Sequence, residues 1–238
     1  MKIRCCQLII KTDKPLVNAQ VVNLRGYIGR QYPKLSLLHN HSSNNSLIYT
    51  FPRVLYQIID GIPVIIGIDE GIDAIRQIGP TLTQLSLRGV IYNVKEILDF
   101  EQEVDFGVIK SVTSYSFLTL WLALNEKNYE KYQRLGPWLK KKELLEKILV
   151  GNIISISKGI GYTVPEPIKA NIKTIKEVPA KLKGVPMIGF LGTFSVNFEI
   201  PDYWGIGKSV SRGFGTIVKT DNRQITDKQT TDKKTINE

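Results

Sequence analysis

Residues 47–80, LIYTFPRVLYQIIDGIPVIIGIDEGIDAIRQIGP, contain the signals that decide the fold of this chain. Two apolar segments, residues 47–59 and 62–68, flank Asp60-Gly61, the dipeptide best suited to the type I′ turn of a β-hairpin. A short helix is predicted to begin at Asp69, which can cap it, and to end at Gly79-Pro80. The stretch therefore predicts two strands and a helix, whose buried side would consist of Ile72, Ile75 and Ile78.

The neighbouring residues complete a known order of elements. Residues 2–12 form an apolar strand-like opening, after which Asp13 and Pro15 indicate a helix. A polar loop is predicted over residues 38–46, and alternation over residues 85–91 predicts a further strand. The apolar stripe of the first helix would consist of Val17, Val21, Leu24 and Ile28. The order β-α-β-β-α-β indicates a ferredoxin-like domain, related in outline to RNA-recognition modules, which we assign to residues 1–103.

The second half of the chain begins the same plan again after a linker predicted at residues 99–107. It shows a strand over residues 114–121 and a long helical region from Glu126 to Lys158, broken near Gly136-Pro137. Its later strands are predicted at residues 168–176, 187–200 and 216–218, and no second helix is visible. The fold class is therefore α+β. We expect two tandem ferredoxin-like (RRM-like) domains, the second at residues 108–219 and imperfect, and a disordered tail over residues 220–238.

Composition narrows the function class. The chain has 238 residues and a formal net charge of +10, which favours a polyanionic partner, most commonly nucleic acid. No apolar run is long enough to span a membrane, so we expect no membrane association. The two cysteines, Cys5 and Cys6, are adjacent and would point to opposite faces of a strand, so they do not indicate a structural disulfide. No signal peptide precedes them, and we expect a cytoplasmic protein.

A glycine-rich segment, residues 202–219 with the sequence DYWGIGKSVSRGFGTIVK, indicates binding of a phosphate or a phosphodiester chain. Paired glycines let the backbone approach a ligand, while exposed N–H groups and nearby cations favour an anion. Asp202 and Val210 stand where a P-loop and a dinucleotide fingerprint, respectively, require glycine. A plain hairpin loop remains the alternative. The candidate RNA-binding residues are Gly205, Gly207, Lys208, Ser209, Ser211, Arg212, Gly213 and Gly215.

Two histidines, His39 and His41, are the only ones in the chain and lie two residues apart in the polar loop. In an extended stretch both rings would face one phosphate, and imidazole can act as general base or general acid near neutral pH. Two such groups could divide the base and acid roles that breaking RNA by its own 2′-hydroxyl requires, although their individual roles stay open. Lys208 and Arg212 would stabilise the charge on phosphorus, with Tyr49 and Lys34 as secondary candidates.

Each of these interpretations has an alternative. A His-x-His pair in a loop is often only solvated surface, and it could also form half of a metal site. No third histidine is present, and the two cysteines, Cys5 and Cys6, lie in the first predicted strand and not in this loop, so we expect no metal and no cofactor. The lysine clusters at residues 140–142 and 169–183 are either solvated charges or grips for RNA phosphates.

Several motifs in one order resemble the CRISPR-associated pre-crRNA-processing endoribonucleases of the Cas6 family, in particular the subtype I-B branch of the RAMP superfamily. They are LRGYIG (24–29), LHNH (38–41), YTFPRVLYQIIDGIPVIIGIDEG (49–71), FLTLWLALNEKNYEKY (117–132), VGNIISISKGIGY (150–162) and GIGKSVSRGFG (205–215). The last matches G-x-G-x5-G-x-G. The resemblance covers nearly everything but the tail.

This resemblance implies two tandem ferredoxin-like domains and a metal-independent enzyme that cuts CRISPR repeat RNA to release guide RNAs. It places His39 and His41 at the family's His-x-His position, and on this basis we predict that the two histidines catalyse RNA cleavage. The same fold could instead support a non-cutting RNA-binding subunit of a CRISPR ribonucleoprotein. The expected partner is the repeat RNA of the precursor transcript (pre-crRNA), while a CRISPR effector complex and a homodimer remain open.

Overall fold

Within the residues that the structure describes, the first half of the chain forms five strands and two α-helices. The computed structural model describes residues 1–38, 51–182 and 184–220. The elements of this half are β1 (Lys2–Thr12), α1 (Val21–Gln31), β2 (Val54–Ile59), β3 (Ile62–Ile68), α2 (Gly71–Arg76), β4 (Gln84–Leu87) and β5 (Val90–Asp105). They build an antiparallel sheet of order β2-β3-β1-β5-β4. The ferredoxin-like prediction is confirmed, with β5 in the position of the last strand and β4 added at the edge.

The central hairpin has the predicted turn. Asp60 and Gly61 both have positive φ angles, of 49° and 82°, as a type I′ turn requires. The two helices begin later than predicted. Val17 is 63% exposed and lies before α1, because a short 3-10 turn over Asn18–Gln20 precedes the helix. Glu70 instead of Asp69 occupies the N-cap of α2, since Asp69 has a left-handed φ of 48°.

The prediction of one strand over residues 85–91 and of a linker over residues 99–107 is wrong. Arg88 and Gly89, with φ angles of 50° and 80°, form a tight turn that divides the predicted strand into β4 and the start of β5. β5 then continues to Asp105 because it pairs with the whole length of β1. Only Phe106 separates β5 from the first strand of the second half.

The second half repeats the plan in reduced form. Its elements are β6 (Gly107–Phe117), α3 (Glu126–Arg134), α4 (Trp138–Gly159), β7 (Ala170–Leu182), β8 (Val185–Glu199) and β9 (Ile217–Lys219). The sheet order is β7-β8-β6-β9, with antiparallel pairing. The helical break near Gly136-Pro137 is confirmed, and in the described residues the glycine-rich segment replaces a second α-helix. The predicted strand at 114–121 is displaced towards the N-terminus, since β6 begins at Gly107 and ends at Phe117.

Two hydrophobic clusters lie on opposite faces of the first sheet. Cys6, Leu8 and Ile10 face α1 and α2, whereas Ile3 and Cys5 face the second half of the chain. The two cysteines therefore point to opposite faces, as predicted, and both are buried free thiols. The face that bears Cys5 shares one continuous core with the second sheet and its helices. The two sheets are thus packed into one body.

Some predictions lie outside the described residues. These are the catalytic assignments of His39 and His41, the supporting role of Tyr49, the strand over residues 47–50, nearly all of the loop at 38–46, and the tail from residue 221 onward. Within the described ranges, no helix combines the length and apolar character needed to cross a membrane.

Candidate RNA-binding site

The glycine-rich segment folds as a hairpin with a compact tip. The Tyr203 N–H donates to the Ile217 carbonyl at 2.7 Å, and the Ile206 N–H donates to the Gly215 carbonyl at 2.9 Å. Between these two arms, a 3-10 turn over Val210–Arg212 forms the tip. The backbone therefore has the form of the plain hairpin alternative, and ligand binding by the segment stays a prediction.

The hairpin is held to its own domain through the stretch that follows β6. The Gly215 N–H donates to the Leu120 carbonyl at 2.9 Å, and the Lys208 N–H donates to the Leu122 carbonyl at 3.2 Å. The Thr119 hydroxyl accepts from the Thr216 N–H at 2.9 Å. These bonds fix both ends of the tip against one short piece of chain.

The hairpin also docks on strand β2 of the first domain through one buried glutamine. Gln57 is only 2% exposed, and its Nε2 donates to the Tyr203 carbonyl at 3.2 Å. Its Oε1 accepts a hydrogen bond from the Thr216 hydroxyl at 2.8 Å. Gln57 thus connects to both arms of the hairpin, and a buried polar side chain satisfied in this way fixes the relative position of the two domains.

The four glycines of the segment are needed for close packing inside the protein. A Cβ at Gly205 would lie 2.6 Å from that of Val210, one at Gly207 would lie 2.8 Å from the Trp121 ring, and one at Gly215 would overlap the Ile206 carbonyl oxygen. The N–H groups of Gly213 and Gly215 donate to protein carbonyls, so these two do not point at a ligand. The expected cradle of free N–H groups is absent at these two positions.

The polar candidates of the tip are accessible but do not converge on one depression. Lys208 is exposed, while Ser209, Ser211 and Arg212 are partly exposed. Arg212 borders a depression of about 280 Å³ beside α1, together with Asn18 and Leu118. Lys208 borders a separate cavity beside α3. The structure therefore places the two predicted cations on different sides of the tip.

A second arginine lies close to Arg212. Burial, and then the positive charge of Arg212, lower the pKa of the Arg25 guanidinium on α1. Next to this pair, a Cβ at Gly213 would approach Val21 of α1 at 2.8 Å and the Tyr56 carbonyl of β2 at 3.3 Å. Two guanidinium groups near one domain junction are suited to a phosphate, whose charge would relieve their repulsion.

The described residues that flank the two histidines in the sequence, Leu38 and Phe51, lie near the glycine-rich hairpin. The Tyr56 hydroxyl of β2 donates to the Leu38 carbonyl at 3.0 Å, just before that segment. Phe51, just after it, packs its ring against Trp204 of the hairpin with centroids 5.4 Å apart. Leu38 belongs to the cluster under the helices and Phe51 to the shared core. The described residues on either side of positions 39–50 therefore lie close to β2 and the hairpin.

Sequence reasoning missed several residues of this region. Gln57 gave a signal that was not used, because it is a polar side chain inside the otherwise apolar run of β2. Arg25 and Phe51 gave no signal that separates them from ordinary helix surface and core residues. Lys34 is exposed four residues before Leu38, so it remains a secondary candidate.

The lysines of the first cluster, residues 140–142, differ in their surroundings. Lys140 is exposed, whereas the ammonium of Lys141 lies over the Tyr132 ring and Lys142 lies 3.7 Å from Glu146. Across residues 1–38, 51–182 and 184–220, no group of three or more His, Cys, Asp or Glu side chains could hold a metal ion. The expectation that no metal is used stays a prediction.

Comparison with known families gives matches to both halves of the chain. The family model for the Cas6b N-terminal domain matches residues 1–103, and that for the Cas6b C-terminal domain matches residues 107–220. A 140-residue stretch, 59% of this chain, is 46% identical to the uncharacterized protein MJ0978 of Methanocaldococcus jannaschii and covers 95% of that protein.

Solved structures agree with these matches. One titled "Crystal structure of Cas6b" is 36% identical with a TM-score of 0.85, and the match covers 92% of this chain and all of the other. Another, titled "Crystal structure of CRISPR RNA processing endoribonuclease Cas6b", is 35% identical with a TM-score of 0.73 and the same coverage. A type IV Cas6 crRNA endonuclease, Csf5, shares the fold at 9% identity and a TM-score of 0.59.

Proposed function

The chain belongs to the Cas6b family, and on this premise we propose that it is an endoribonuclease that binds CRISPR repeat RNA and cuts it within the precursor transcript. Cleavage releases the mature guide RNAs. The function is that of the family, and the match of both halves of the chain supports it. The reaction proposed below needs neither a metal ion nor a cofactor.

The observation that carries the proposal is the contact of the glycine-rich hairpin with strand β2, next to the described residues that flank the histidine segment. The hairpin docks on β2 through Gln57. Leu38 is bonded by Tyr56 of β2, and Phe51 packs on Trp204 of the hairpin. An RNA strand that follows the hairpin would therefore pass Leu38 and Phe51, between which the two histidines lie in the sequence. Binding and chemistry can then act on the same phosphate.

The proposed reaction uses the RNA's own 2′-hydroxyl as nucleophile. One histidine of the pair takes the 2′-hydroxyl proton while the oxygen attacks the adjacent phosphorus, and the other protonates the departing 5′-oxygen. The tethered hydroxyl needs no activated water, and such placement can lower the barrier by roughly 7 to 11 kcal/mol. The products are an upstream fragment with a 2′,3′-cyclic phosphate and a downstream fragment with a 5′-hydroxyl.

The arginines at the domain junction provide the charge that this reaction requires. Arg212, beside the partly buried Arg25, would bind the phosphate and stabilise the negative charge that grows on it. Lys208, on the other side of the tip, would contact a neighbouring phosphate of the strand. Tyr49 and Lys34 are proposed only as supporting groups.

The decisive experiment is to incubate the purified chain with RNA of the repeat from the neighbouring CRISPR array and to analyse the ends of the products. We expect cutting at one position in excess EDTA, with the end groups named above. A single 2′-deoxy substitution at the cut nucleotide should abolish cutting and leave binding intact. A downstream fragment with a 5′-phosphate, or cutting that needs magnesium or manganese, would show that water attacks instead.

Variants separate binding from chemistry. His39→Ala and His41→Ala should leave RNA affinity nearly unchanged and stop cutting, whereas Lys208→Ala and Arg212→Ala should weaken binding and reduce its salt dependence by a slope of about one each. Lys95→Ala, which removes an exposed lysine from β5 of the first domain, is the matched control. A wild-type chain that binds the repeat without cutting it would favour the inert RNA-binding subunit.

A CRISPR effector complex and a homodimer remain proposed protein partners. Light scattering of the chain with and without repeat RNA measures the number of copies in each state. Co-purification of the processed RNA with other effector subunits would test the larger assembly.

A further inference from the structure

A cavity of about 440 Å³ lies beside Lys208 on the second domain, away from the docking surface on β2. Its volume falls within the range of small-molecule sites, about 300 to 1,000 Å³. It is bordered by the stretch before α3, the first turns of α3, the start of β8 and the tip of the glycine-rich hairpin. The residues that carry the inference are Leu124, Glu126, Tyr129, Pro186, Met187 and Lys208.

Hydrogen bonds hold the walls of this cavity in place. The Lys208 N–H is bonded to the Leu122 carbonyl at 3.2 Å, so the hairpin tip is fixed relative to the stretch that leads into α3. The side chain of Asn125 caps α3 by accepting from the Asn128 N–H at 2.7 Å. The Trp121 ring fills the space that a side chain at position 207 would need. The cavity is therefore preformed.

The side chains around the cavity suit a planar ligand that carries both an anion and a hydrogen-bond donor. Tyr129 is 44% exposed although it borders an apolar cavity, which leaves a ring available for stacking. Lys208 supplies a positive charge, and Glu126 on α3 supplies an acceptor of hydrogen bonds. A nucleotide has these three features together: a planar base, a phosphate and, in adenine, cytosine and guanine, an exocyclic amino group.

We propose that this cavity holds one unpaired nucleobase of the bound RNA, with its phosphate towards Lys208 and an exocyclic amino group towards Glu126. This inference rests on the proposed function and adds a site that reads the base. Lys208 of the glycine-rich hairpin borders the cavity, so an RNA strand bound by the hairpin would pass the cavity opening. Unpaired bases are the part of RNA that proteins read through stacking on aromatic side chains. Uracil, which lacks the amino group, should bind less well.

The test is a double-mutant cycle between Tyr129 and the RNA. Each unpaired nucleotide of the repeat is replaced in turn by an abasic site, and the dissociation constant is measured with wild type and with Tyr129→Ala. At one position the abasic change should weaken binding to wild type by roughly fivefold to a hundredfold, with little further loss in Tyr129→Ala. Phe100→Ala, which removes a similarly exposed ring from the first sheet, is the matched control and should show no such coupling.

Two outcomes separate this inference from the proposed function. If wild type neither binds nor cuts the repeat, the proposed function fails. If wild type binds and cuts, but the effects of Tyr129→Ala and of every abasic site simply add, no base occupies the cavity and the inference is overturned.

The coupled position also tests the role of the carboxylate. Changing that base to uracil should weaken binding to wild type by roughly tenfold, and Glu126→Gln should remove most of this preference because an amide can also donate to the uracil carbonyl. Equal binding of uracil by wild type would overturn the assignment to an amino-bearing base.

Discussion

Gln57 is the residue on which the geometry of the proposed site depends most directly. Its buried amide bonds to both arms of the glycine-rich hairpin. Thr216→Val removes the hydroxyl that donates to Gln57 and leaves the glutamine oxygen buried without this donor. We expect a loss of about 1 to 3 kcal/mol in the free energy of unfolding and weaker RNA binding. Urea unfolding and filter binding measure the two effects.

Thr174→Val is the matched control for that substitution. Thr174 and Thr193 share a hydroxyl hydrogen bond of 2.9 Å, but the pair is exposed on the second sheet, so water can replace the lost partner. The free energy of unfolding and the RNA affinity should both change little. If Thr174→Val lowered the free energy of unfolding as much as Thr216→Val does, the burial of the Gln57–Thr216 hydrogen bond would not explain the effect of Thr216→Val.

Gly215 is a second position where a single atom should change the site. Its φ is +66°, and a Cβ there would overlap the Ile206 carbonyl oxygen. Gly215→Ala should therefore displace one arm of the hairpin and weaken RNA binding while the rest of the fold is retained. Gly161→Ala is the control that separates backbone strain from steric overlap. Its φ is +79°, but no atom lies within 4 Å of the added carbon. The control should cost only about 1 to 2 kcal/mol of stability and leave RNA affinity unchanged.

At the scale of elements, regular apolar patterns predicted the strands and helices of each half, and the pattern failed where charges stabilise a strand. The sequence DFEQEVD, residues 99–105, looks like a linker because it is so acidic. In the structure these carboxylates pair with cations of β1 and α2, as in Arg4–Glu101 at 2.7 Å and Arg76–Asp99 at 2.7 Å. Such cross-strand pairing depends on tertiary neighbours that a local pattern does not contain.

The candidate site also has features that the sequence could predict and features that it could not. The glycine-rich segment and the histidine pair could be singled out because their composition is unusual. The sequence could not predict that the hairpin docks through Gln57 or that Arg25 lies near Arg212. Both contacts arise only when the two domains pack together. The Arg88-Gly89 turn was missed for a related reason, since arginine at a positive φ is uncommon and composition does not announce it.

The charged network of β5 should make stability depend on acid pH. Hydrogen bonds from Arg76 lower the pKa of Asp99, and hydrogen bonds led by Arg4 lower that of Glu101. A lowered folded-state pKa gives stability that is fully present above the unfolded values of 3.8 and 4.5. This stability is lost as the pH falls through the folded values. We expect the urea concentration at the unfolding midpoint of wild type to decrease as the pH is lowered below about 4.5.

Arg76→Gln tests the source of this dependence. The variant should be less stable than wild type at pH 7, and the difference should shrink as the carboxylates are protonated. Arg134→Gln is the control, because its partner Glu130 is 3.7 Å away and both side chains are well exposed. A wild-type advantage over Arg76→Gln that persists at pH 2 would show that the arginine acts through packing instead of charge.

At the scale of the whole molecule, the shared core predicts that the two domains unfold together. Phe106, the one residue between β5 and β6, is 1% exposed, and its ring lies 4.9 Å from Phe198 and 5.7 Å from Trp204. Its backbone also bonds to Met1 at the start of the first sheet. Since one apolar cluster joins the face of the first sheet to the second domain, neither half can open without exposing part of it.

Phe106→Ala should therefore destabilise both domains, by about 3 to 5 kcal/mol, and preserve a single transition. All three tryptophans lie in the second half, so their fluorescence reports that domain, while hydrogen exchange of β1 and β3 amides reports the first. Both measurements should shift to the same lower urea concentration. Phe100→Ala, at an exposed ring, should shift neither. If the fluorescence moves while the β1 and β3 amides keep their protection, the domains are independent, and the docking through Gln57 alone would have to hold the hairpin beside the histidine segment.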